Sequence, residues 1–252
     1  MSDSTSAVQS VVSEAEWEQR VSLAACYRLV ALFGWDDLIF THISARVPGP
    51  ERHFLINPYG LFYEEVTASN LVKIDLEGRI VGHSDWPVNE AGFIIHGAVH
   101  AARPDVQCVI HHHGPAAVAV SALECGLLPL SLEAAQFYQR VAYYDFAGIS
   151  DDRAECALIT AALGNAKVLF MRNHGVLITG LTIGEALHLA VNLEQACRVQ
   201  LNILSAGVPY KLIPHEVALH TVRQVTDKPE RNEPVIVAVM RRLDRLQPEY
   251  RL

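Results

Sequence analysis

Three consecutive histidines stand in the stretch VIHHHGPAA, residues 109–117, after an apolar run and directly before a glycine. If this run is a β-strand, its side chains alternate between the two faces of a sheet, so His111 and His113 project to one side and His112 to the other. Two imidazoles in this arrangement can bind one metal ion. They make only half of a metal site, so the alternative is a strand end at the surface with solvated histidines.

The sequence around the triplet alternates between strand-like and helix-like patterns. Strands are predicted at residues 38–47, 53–58, 71–81, 106–114 and 141–146, and two more within 167–180 are hinged at Asn173-His174-Gly175. Helices are predicted from a capping box at Ser13 to about Gly34, and at 89–102, 116–126, 151–163 and 183–204. We therefore expect a single α/β domain with a central mixed or antiparallel sheet flanked by helices.

The domain boundaries follow from the same patterns. Residues 1–12 are expected to be a flexible N-terminus, and residues 13–204 form the domain. Residues 205–252 are predicted to be a less regular C-terminal extension that packs on the domain or on a neighbouring subunit.

Composition limits the classes of partner. The chain has 252 residues, half of them hydrophobic, and a formal net charge of −8. The acidic balance and scattered Lys and Arg residues argue against a nucleic-acid or membrane surface, which would need a basic patch. Neither a signal peptide nor an apolar run long enough to span a membrane is evident. Five dispersed cysteines without a CxxC motif favour the reducing cytoplasm.

Two stretches, ARPDVQCVIHHHGPAAVAVSA and MRNHGVLITG, resemble the class II aldolase and adducin family. The resemblance covers roughly residues 15–205 and includes DDLIFTHISARV, INPYGLFYEEVTASNLVKID and PVNEAG in the family order. Several of these stretches are most similar to the adducin head domain and its bacterial relatives. The resemblance implies the α/β/α fold of the class II aldolases. It also implies three metal ligands, His111, His113 and His174, with Glu90 binding the metal at rest and acting as general acid/base.

The resemblance further implies a reaction class. In the family's aldolases a divalent ion, most often Zn²⁺, stabilises an enediolate during carbon–carbon cleavage, and the same electron sink supports decarboxylation or epimerisation. Fe²⁺, Mn²⁺ and Co²⁺ are alternatives, since three histidines do not fix the metal. We expect a lyase that acts on a small molecule. The alternatives are an adducin-like interaction module with a structural metal and an iron-dependent oxygenase. A homotetramer is expected, because the family builds its sites at subunit boundaries.

The phosphate-binding phrases of the family's sugar-phosphate aldolases are altered here. Those enzymes have Gly-Asn-(Ile/Val)-Ser, Thr-Pro-Ser/Thr-Gly and a Ser-Ser pair, whereas this chain has THIS, NPYG and VN at the matching places. These changes favour an unphosphorylated hydroxy-carbonyl compound or keto acid, with a carboxylate or aromatic group next to His42 and Tyr59. The predicted substrate-binding residues are His42, Ser44, Asn57, Tyr59, Gly60 and Asn89.

The family's second proton donor is a tyrosine about twenty residues after the histidine pair. At this place the chain has Glu133, and Tyr138 and Tyr143 are nearby alternatives. The assignment stays open among these three.

Each site residue also has a plain structural interpretation. His174 could cap a turn, and Glu90 could be stabilised by the dipole at a helix N-terminus. His112, on the opposite face of the strand, is predicted to pack against the core or to support a ligand. His96 and His100 lie one turn apart on a predicted helix, and we expect them to face the core or an interface rather than a metal.

Overall fold

The structure, a computed structural model, describes residues 8–148, 153–227 and 232–252. The strands are β1 (His42–Arg46), β2 (Phe54–Ile56), β3 (Val72–Ile74), β4 (Cys108–His112), β5 (Val141–Tyr144), β6 (Val168–Met171) and β7 (Gly175–Gly180). The helices are α1 (Glu14–Leu32), α2 (Glu90–Ala102), α3 (Pro115–Ser121), α4 (Leu132–Ala135), α5 (Arg153–Leu163), α6 (Ile183–Ser205), α7 (His215–Thr226) and α8 (Glu233–Leu246). Short 3-10 helices lie at Tyr63–Glu65 and Pro248–Arg251.

The seven strands form one sheet in the order β3-β2-β1-β4-β7-β6-β5. Every neighbouring pair is antiparallel except β5 and β6, which are parallel. The sheet is therefore mixed, and the predicted α/β fold with a central mixed or antiparallel sheet is confirmed. Strand β4, which ends within the histidine triplet at His112, lies in the middle of the sheet between β1 and β7.

Helices cover both faces of the sheet. On one face, buried side chains of α1, α3, α6 and α8 pack with Ile43, Ile110 and Ile178 in the largest core cluster. On the other face, α2 and α5 pack against a second cluster that includes Val109 and Leu177. Because successive side chains of a strand point to opposite faces, β4 contributes to both cores. Its even-numbered residues face α1, and its odd-numbered residues face α2.

The first helix begins with half of the predicted capping box. The Ser13 hydroxyl accepts a hydrogen bond from the backbone N–H of Glu16, at 3.1 Å. The Glu16 carboxylate does not return to Ser13. It binds Arg20 at 3.0 Å and Lys73 at 2.9 Å instead, and so ties α1 to β3. A buried carboxylate gains more from two cations than from one backbone N–H, which explains the difference from the prediction.

Two predictions of secondary structure need correction. The strand predicted at 38–47 begins only at His42, because Leu38 adopts a left-handed φ of 52° within a turn. The C-terminal extension is not irregular: it contains α7, α8 and a final 3-10 turn. Helix α8 packs on α1 and α6, and its Leu243 is fully buried, as is Tyr250 in the turn that follows. Among the described residues, no helix is long and apolar enough to cross a membrane.

Candidate metal centre

Strand β4 and the residue that follows it separate the three histidines by face. His111 pairs with His42 of β1 on one side and with Leu177 of β7 on the other. His112 points to the α1 face, where it is fully buried and stacks on Trp35 with ring centroids 5.3 Å apart. The predicted alternation is confirmed, and His112 packs in the core. The backbone N–H of His113 donates to the Trp35 carbonyl at 3.3 Å, which fixes the end of the strand.

A tight turn between β6 and β7 carries His174. Its backbone N–H donates to the Met171 carbonyl at 3.0 Å, and Asn173 supplies the left-handed conformation with a φ of 59°. Gly175 is needed for a different reason, which is space. A Cβ atom at this position would lie 2.7 Å from Cδ2 of His113, 2.8 Å from the His112 carbonyl oxygen and 3.5 Å from Cε1 of His111.

The turn brings His174 to the paired histidines of β4. The ring centroids of His111, His113 and His174 are 4.9–5.0 Å apart, and one nitrogen from each ring lies within 4.8 Å of the others. The Nε2 atoms of His111 and His113 are 3.1 Å apart. Two nitrogens at about 2.0–2.1 Å from a tetrahedral ion lie about 3.3–3.4 Å apart, so the pair is close to the spacing that one ion requires.

The other ring nitrogens of the β4 pair are already occupied. Nδ1 of His111 lies 3.0 Å from the Val176 carbonyl oxygen, and Nδ1 of His113 lies 3.0 Å from a carboxylate oxygen of Asp37. Both partners accept, so both Nδ1 atoms donate and both Nε2 atoms present lone pairs to the cluster. Metal-binding histidines are typically oriented in this way. The donor set therefore fits a divalent ion held by His111, His113 and His174.

The surroundings keep the imidazoles of His111 and His174 neutral. Burial, and then the neighbouring histidines, lower the pKa of His111 well below its ordinary value. Burial, and then the charge of His113, lower the pKa of His174 to about 4. Neutral imidazole is the form that coordinates metals, so both rings are ready to bind at neutral pH.

A cavity of about 330 Å³ opens on the cluster. It is lined by Phe40, His42, Tyr59, Asn89, Ile95, His111, His113, Phe146, Gly148 and His174. Of the predicted substrate-binding residues, His42, Tyr59 and Asn89 meet there. Asn89 also caps α2, since its side-chain oxygen accepts from the Gly92 N–H at 3.4 Å. Glu90 is the first residue of α2, but its side chain lies outside the described part of the structure.

Three other predicted residues do not line this cavity. Ser44 lies on the same face as His42 but deeper under α2, and it is buried. Asn57 is buried in the core, where its side-chain oxygen accepts from the Tyr27 hydroxyl at 2.9 Å. Gly60 occupies an exposed turn with a φ of 103°. The sequence motifs that contain these residues lie beside the cavity, and only one or two side chains of each motif line its wall.

None of the three candidates for a second proton donor lines the described cavity wall. The Tyr143 hydroxyl accepts from the Leu127 N–H at 2.8 Å, and the Tyr138 hydroxyl pairs with His215 at 2.9 Å. Glu133 lies in the first turn of α4. These assignments are therefore not supported within this chain.

A second group of histidines lies behind the cavity. Nδ1 of His42 is 2.9 Å from Nε2 of His96, and the Ser44 hydroxyl is 2.7 Å from Nδ1 of His96 and 2.8 Å from Nε2 of His100. All four residues are buried. The prediction that His96 and His100 face the core is confirmed. Gly92 makes room for this group, because a Cβ there would lie 2.4 Å from the His42 ring.

Sequence reasoning missed several residues of the site. Asp37 orients His113 from 76 residues away, and although it belongs to the stretch DDLIFTHISARV, nothing in that stretch marks it as the partner of a ligand. Phe40 and Phe146 line the cavity and are about half exposed, at 52% and 57%. Both residues fall within strands predicted from the sequence, at 38–47 and 141–146, and no sequence pattern shows that the two places meet beside β4.

Comparisons with known proteins identify the family of this chain. The model of the class II aldolase and adducin N-terminal domain matches residues 21–201. A Caulobacter vibrioides protein named as an aldolase class 2 protein is 51% identical over 220 residues, which are 87% of this chain and 86% of that protein. Rat alpha-adducin is 50% identical over 198 residues, covering 77% of this chain but 27% of the adducin.

One similar solved structure is that of an enzyme with a named substrate. The L-fuculose 1-phosphate aldolase of Glaciozyma antarctica superposes with a TM-score of 0.82 and is 31% identical. The alignment covers 95% of this chain and 93% of the aldolase.

Proposed function

The chain belongs to the class II aldolase and adducin family, and on this premise we propose that it is a divalent-metal-dependent lyase. Its substrate would be a small, unphosphorylated hydroxy-carbonyl compound or keto acid, and its reaction retro-aldol cleavage or decarboxylation. Class II aldolases use a divalent metal, typically Zn²⁺, and Zn²⁺ is the ion we propose here.

The observation that carries the proposal is the convergence of His111, His113 and His174 on one point beside a cavity. When bound there, a divalent ion supplies the Lewis acidity that polarises a substrate carbonyl. The protein's part is to hold three imidazoles in place. The Val176 carbonyl and the Asp37 carboxylate orient two of them. An interaction module would not require an open cavity beside its metal.

The proton transfer is assigned to Glu90 by family resemblance. Helix α2 begins at this residue, directly after Asn89 of the cavity wall. A carboxylate at a helix N-terminus is stabilised in its ionised form, which suits the resting state of a general base. Asn89 and Tyr59 are proposed to hold the substrate through their amide and phenol groups.

The choice of an unphosphorylated substrate rests on charge. A phosphate dianion needs several converging donors, preferably with positive charge. No lysine or arginine is present among the described residues of the cavity wall. The similar Glaciozyma enzyme is named for a sugar phosphate, so the proposal separates this chain from that relative by its substrate.

The first experiment is metal analysis of the purified protein by plasma emission spectroscopy. We expect about one ion per chain in the wild type and a steep loss in His113→Ala. His83→Ala is the matched control, because the His83 side chain is 86% exposed and lies outside the cavity wall. Full occupancy in His113→Ala would reject the ligand assignment.

The second experiment tests the substrate. The metal-loaded and metal-stripped proteins are assayed with unphosphorylated keto acids in competition with L-fuculose 1-phosphate. We expect metal-dependent turnover of the unphosphorylated compounds. A clear preference for the sugar phosphate that is lost in Asn89→Ala would overturn the substrate proposal.

Similarity to adducin supports a second candidate, an interaction module with a structural metal. The relevant observation is the 50% identity to rat alpha-adducin over most of this chain. This candidate predicts an ion that survives mild chelation and no turnover of any hydroxy-carbonyl compound or keto acid. Metal-dependent turnover that is lost in His174→Ala would exclude it.

We also propose a cytoplasmic homotetramer, as an assembly that would complete sites at subunit boundaries. Helix α7 offers a candidate contact surface, since its Val217 is 52% exposed and Ala218 is its one fully buried residue in the described structure. Light scattering at micromolar concentration tests the assembly, and a monomeric mass would contradict it.

A further inference from the structure

A second cavity, of about 450 Å³, lies at the end of the sheet away from the metal centre. Strand β6 leads from Lys167 in its wall to the turn that carries His174, and β7 leads from that turn back to Leu181 in the same wall. From Gly175 to Leu181 the strand covers six residues (181 − 175), or about 20 Å. The two cavities share no wall residue in the described structure, so the second cavity is a separate place for a ligand.

Two cations and one carboxylate meet in the described wall of this second cavity. Arg140 and Lys167 directly precede the parallel strands β5 and β6, and the Lys167 backbone N–H donates to the Arg140 carbonyl at 3.1 Å. The Lys167 ammonium binds Oε1 of Glu185 at 3.1 Å, and the two side chains are only 15% and 12% exposed. Oε2 of Glu185 accepts from the Leu181 backbone N–H at 2.5 Å. Both oxygens of this carboxylate therefore already have partners.

Arg140 is the cation that remains without an anion. In the described part of the chain it forms no ion pair, and its guanidinium makes one long hydrogen bond, 3.5 Å, to the Gln136 carbonyl oxygen. Burial lowers the pKa of Arg140, and the charge of Glu185 offsets only part of this change. A guanidinium has five N–H donors, arranged so that two of them can bind both oxygens of a carboxylate. A half-buried cation with most of its donors unused favours an anionic ligand.

The other groups of the wall indicate what the rest of the ligand is. The side-chain oxygen of Gln136 accepts from Asn192 at 3.3 Å, which leaves the Gln136 amide N–H groups as further donors in the wall. Aliphatic side chains from α4, α6, α7 and the segment before α6 also line the cavity: Leu132, Leu181, Leu189 and Val225. A cavity of this volume, with apolar walls and a few polar groups, is typical of a small-molecule site.

We propose that the second cavity binds a small aliphatic monocarboxylate, with Arg140 holding the carboxylate group. The Gln136 amide donates to the same group, and Leu189 and Val225 contact the aliphatic tail. One negative charge matches the one cation that has no internal partner, whereas a phosphate dianion needs several converging donors and more positive charge. The inference concerns a different site from the proposed lyase centre and does not depend on it.

Isothermal titration calorimetry of the purified protein with octanoate tests the site. We expect octanoate to bind, and to bind about 10- to 100-fold more weakly to Arg140→Gln, which lacks one charge-assisted pair. Arg52→Gln is the matched control, because the Arg52 guanidinium is exposed and lies outside the described wall. Equal affinities of Arg140→Gln and Arg52→Gln, or no binding of octanoate to the wild type, would overturn the proposal.

Two further compounds separate the charge from the tail. Acetate has the carboxylate without the tail, and 1-octanol has the tail without the charge. Each buried methylene group contributes about fourfold to affinity, so acetate should bind at least about 10-fold more weakly than octanoate. 1-Octanol should also bind about 10- to 100-fold more weakly. Affinity equal to that of octanoate for either compound would reject the proposed ligand class.

Two more variants locate the bound compound. Octanoate affinity should be unchanged in His113→Ala, because the metal centre lies at the other end of the sheet. Affinity that is lost in His113→Ala but retained in Arg140→Gln would place the carboxylate at the metal and overturn this proposal, without affecting the lyase proposal. Leu132→Glu covers the case in which Arg140→Gln does not fold, since Leu132 lies in the wall and is 67% exposed. Its new carboxylate should weaken octanoate binding, and an unchanged affinity would contradict the site.

Discussion

Two histidine groups lie on the same face of the sheet, and they differ in which ring nitrogens have hydrogen-bond partners inside the protein. In the metal centre, His111 and His113 use Nδ1 for an internal partner and leave Nε2 open toward each other. In the hydrogen-bonded chain of the group behind the cavity, His96 uses both nitrogens for internal partners. His42 belongs to both regions, because one of its nitrogens is tied to the chain and its ring borders the cavity.

The difference shows that the partner of the second nitrogen separates a ligand from a structural histidine. His111 of the metal centre and His96 of the chain are both buried and both have a lowered pKa, so neither burial nor a lowered pKa distinguishes a ligand from a structural histidine. In both groups the spacing in the sequence is also one that a pair of metal ligands can have, i and i+2 on a strand or i and i+4 on a helix. Replacing a ligand should therefore lower metal affinity with little effect on stability. Replacing a histidine of the internal chain should lower stability and leave the metal in place.

The largest effect is expected for removal of a ligand. His174→Ala leaves two imidazoles, which cannot enclose an ion, so metal affinity should fall by more than the roughly 10–100-fold typical of an outer-shell change. Its effect on the stability of the metal-free protein should be small, because the ring is partly exposed. Zn²⁺ titration by calorimetry and urea unfolding of the metal-free protein measure the two quantities. His100→Gln serves as the reciprocal control and should retain the ion.

Breaking the internal chain comes next. His96→Leu removes the partner of Nδ1 of His42, while Ser44 keeps its bond to His100, so one buried polar group is left unsatisfied at a cost of about 1–3 kcal/mol. We expect the free energy of unfolding to fall by about 1–3 kcal/mol in urea, against little change for His83→Ala. An effect below 1 kcal/mol would mean that the buried chain contributes little.

A smaller effect is expected for the carboxylate behind His113. Asp37→Ala removes the acceptor that orients this ring, and such a change typically reduces metal affinity about 10–100-fold. Asp145→Ala is a suitable control, since the Asp145 side chain is 94% exposed and binds Arg172 instead. Equal metal affinities in the two variants would show that Asp37 does not support the ligand.

The smallest expected effect is a change in the pH dependence of stability. Burial lowers the pKa of His100 to about 3, against about 6.5 in the unfolded chain. Between these values the unfolded chain binds a proton that the folded protein does not, so the free energy of unfolding falls as pH decreases, by up to about 1.4 kcal/mol per pH unit. In His100→Gln this contribution disappears. The difference between the two slopes, from urea unfolding of metal-free protein at pH 4–6, should approach this value; parallel slopes would contradict it.

The sequence could predict features that depend on local periodicity. Strand alternation places His111 and His113 on one face and His112 on the other, and the helix repeat turns His96 and His100 the same way. Helix α8 of the extension also has a local signal, since Ile236, Val239 and Leu243 follow the helical repeat. The expectation that this segment is less regular overlooks that repeat.

Features that depend on how separate elements meet could not be predicted. Asp37 reaches His113 from a loop, and Ser44 of strand β1 joins His96 to His100 of helix α2. The phosphate-pocket phrases illustrate the same limit. Tyr59 lines the cavity, but Asn57, only two residues earlier, is bonded to Tyr27 in the core. Family resemblance identified the right segments, and the packing decided which side chains of each segment reach the cavity.

The position of the ligands at the end of β4 and in the turn between β6 and β7 also has a consequence for chain connectivity. A bound ion would join residue 113 to residue 174 and so close a loop of 61 residues (174 − 113) that includes α3, α4, α5, β5 and β6. This link is reversible, unlike a disulfide, so its strength depends on the free concentration of the ion. At 100 times its dissociation constant the ion would add about 2.7 kcal/mol to the free energy of unfolding. The same protein would therefore have a different melting temperature at each level of free metal, whether or not it turns over a substrate.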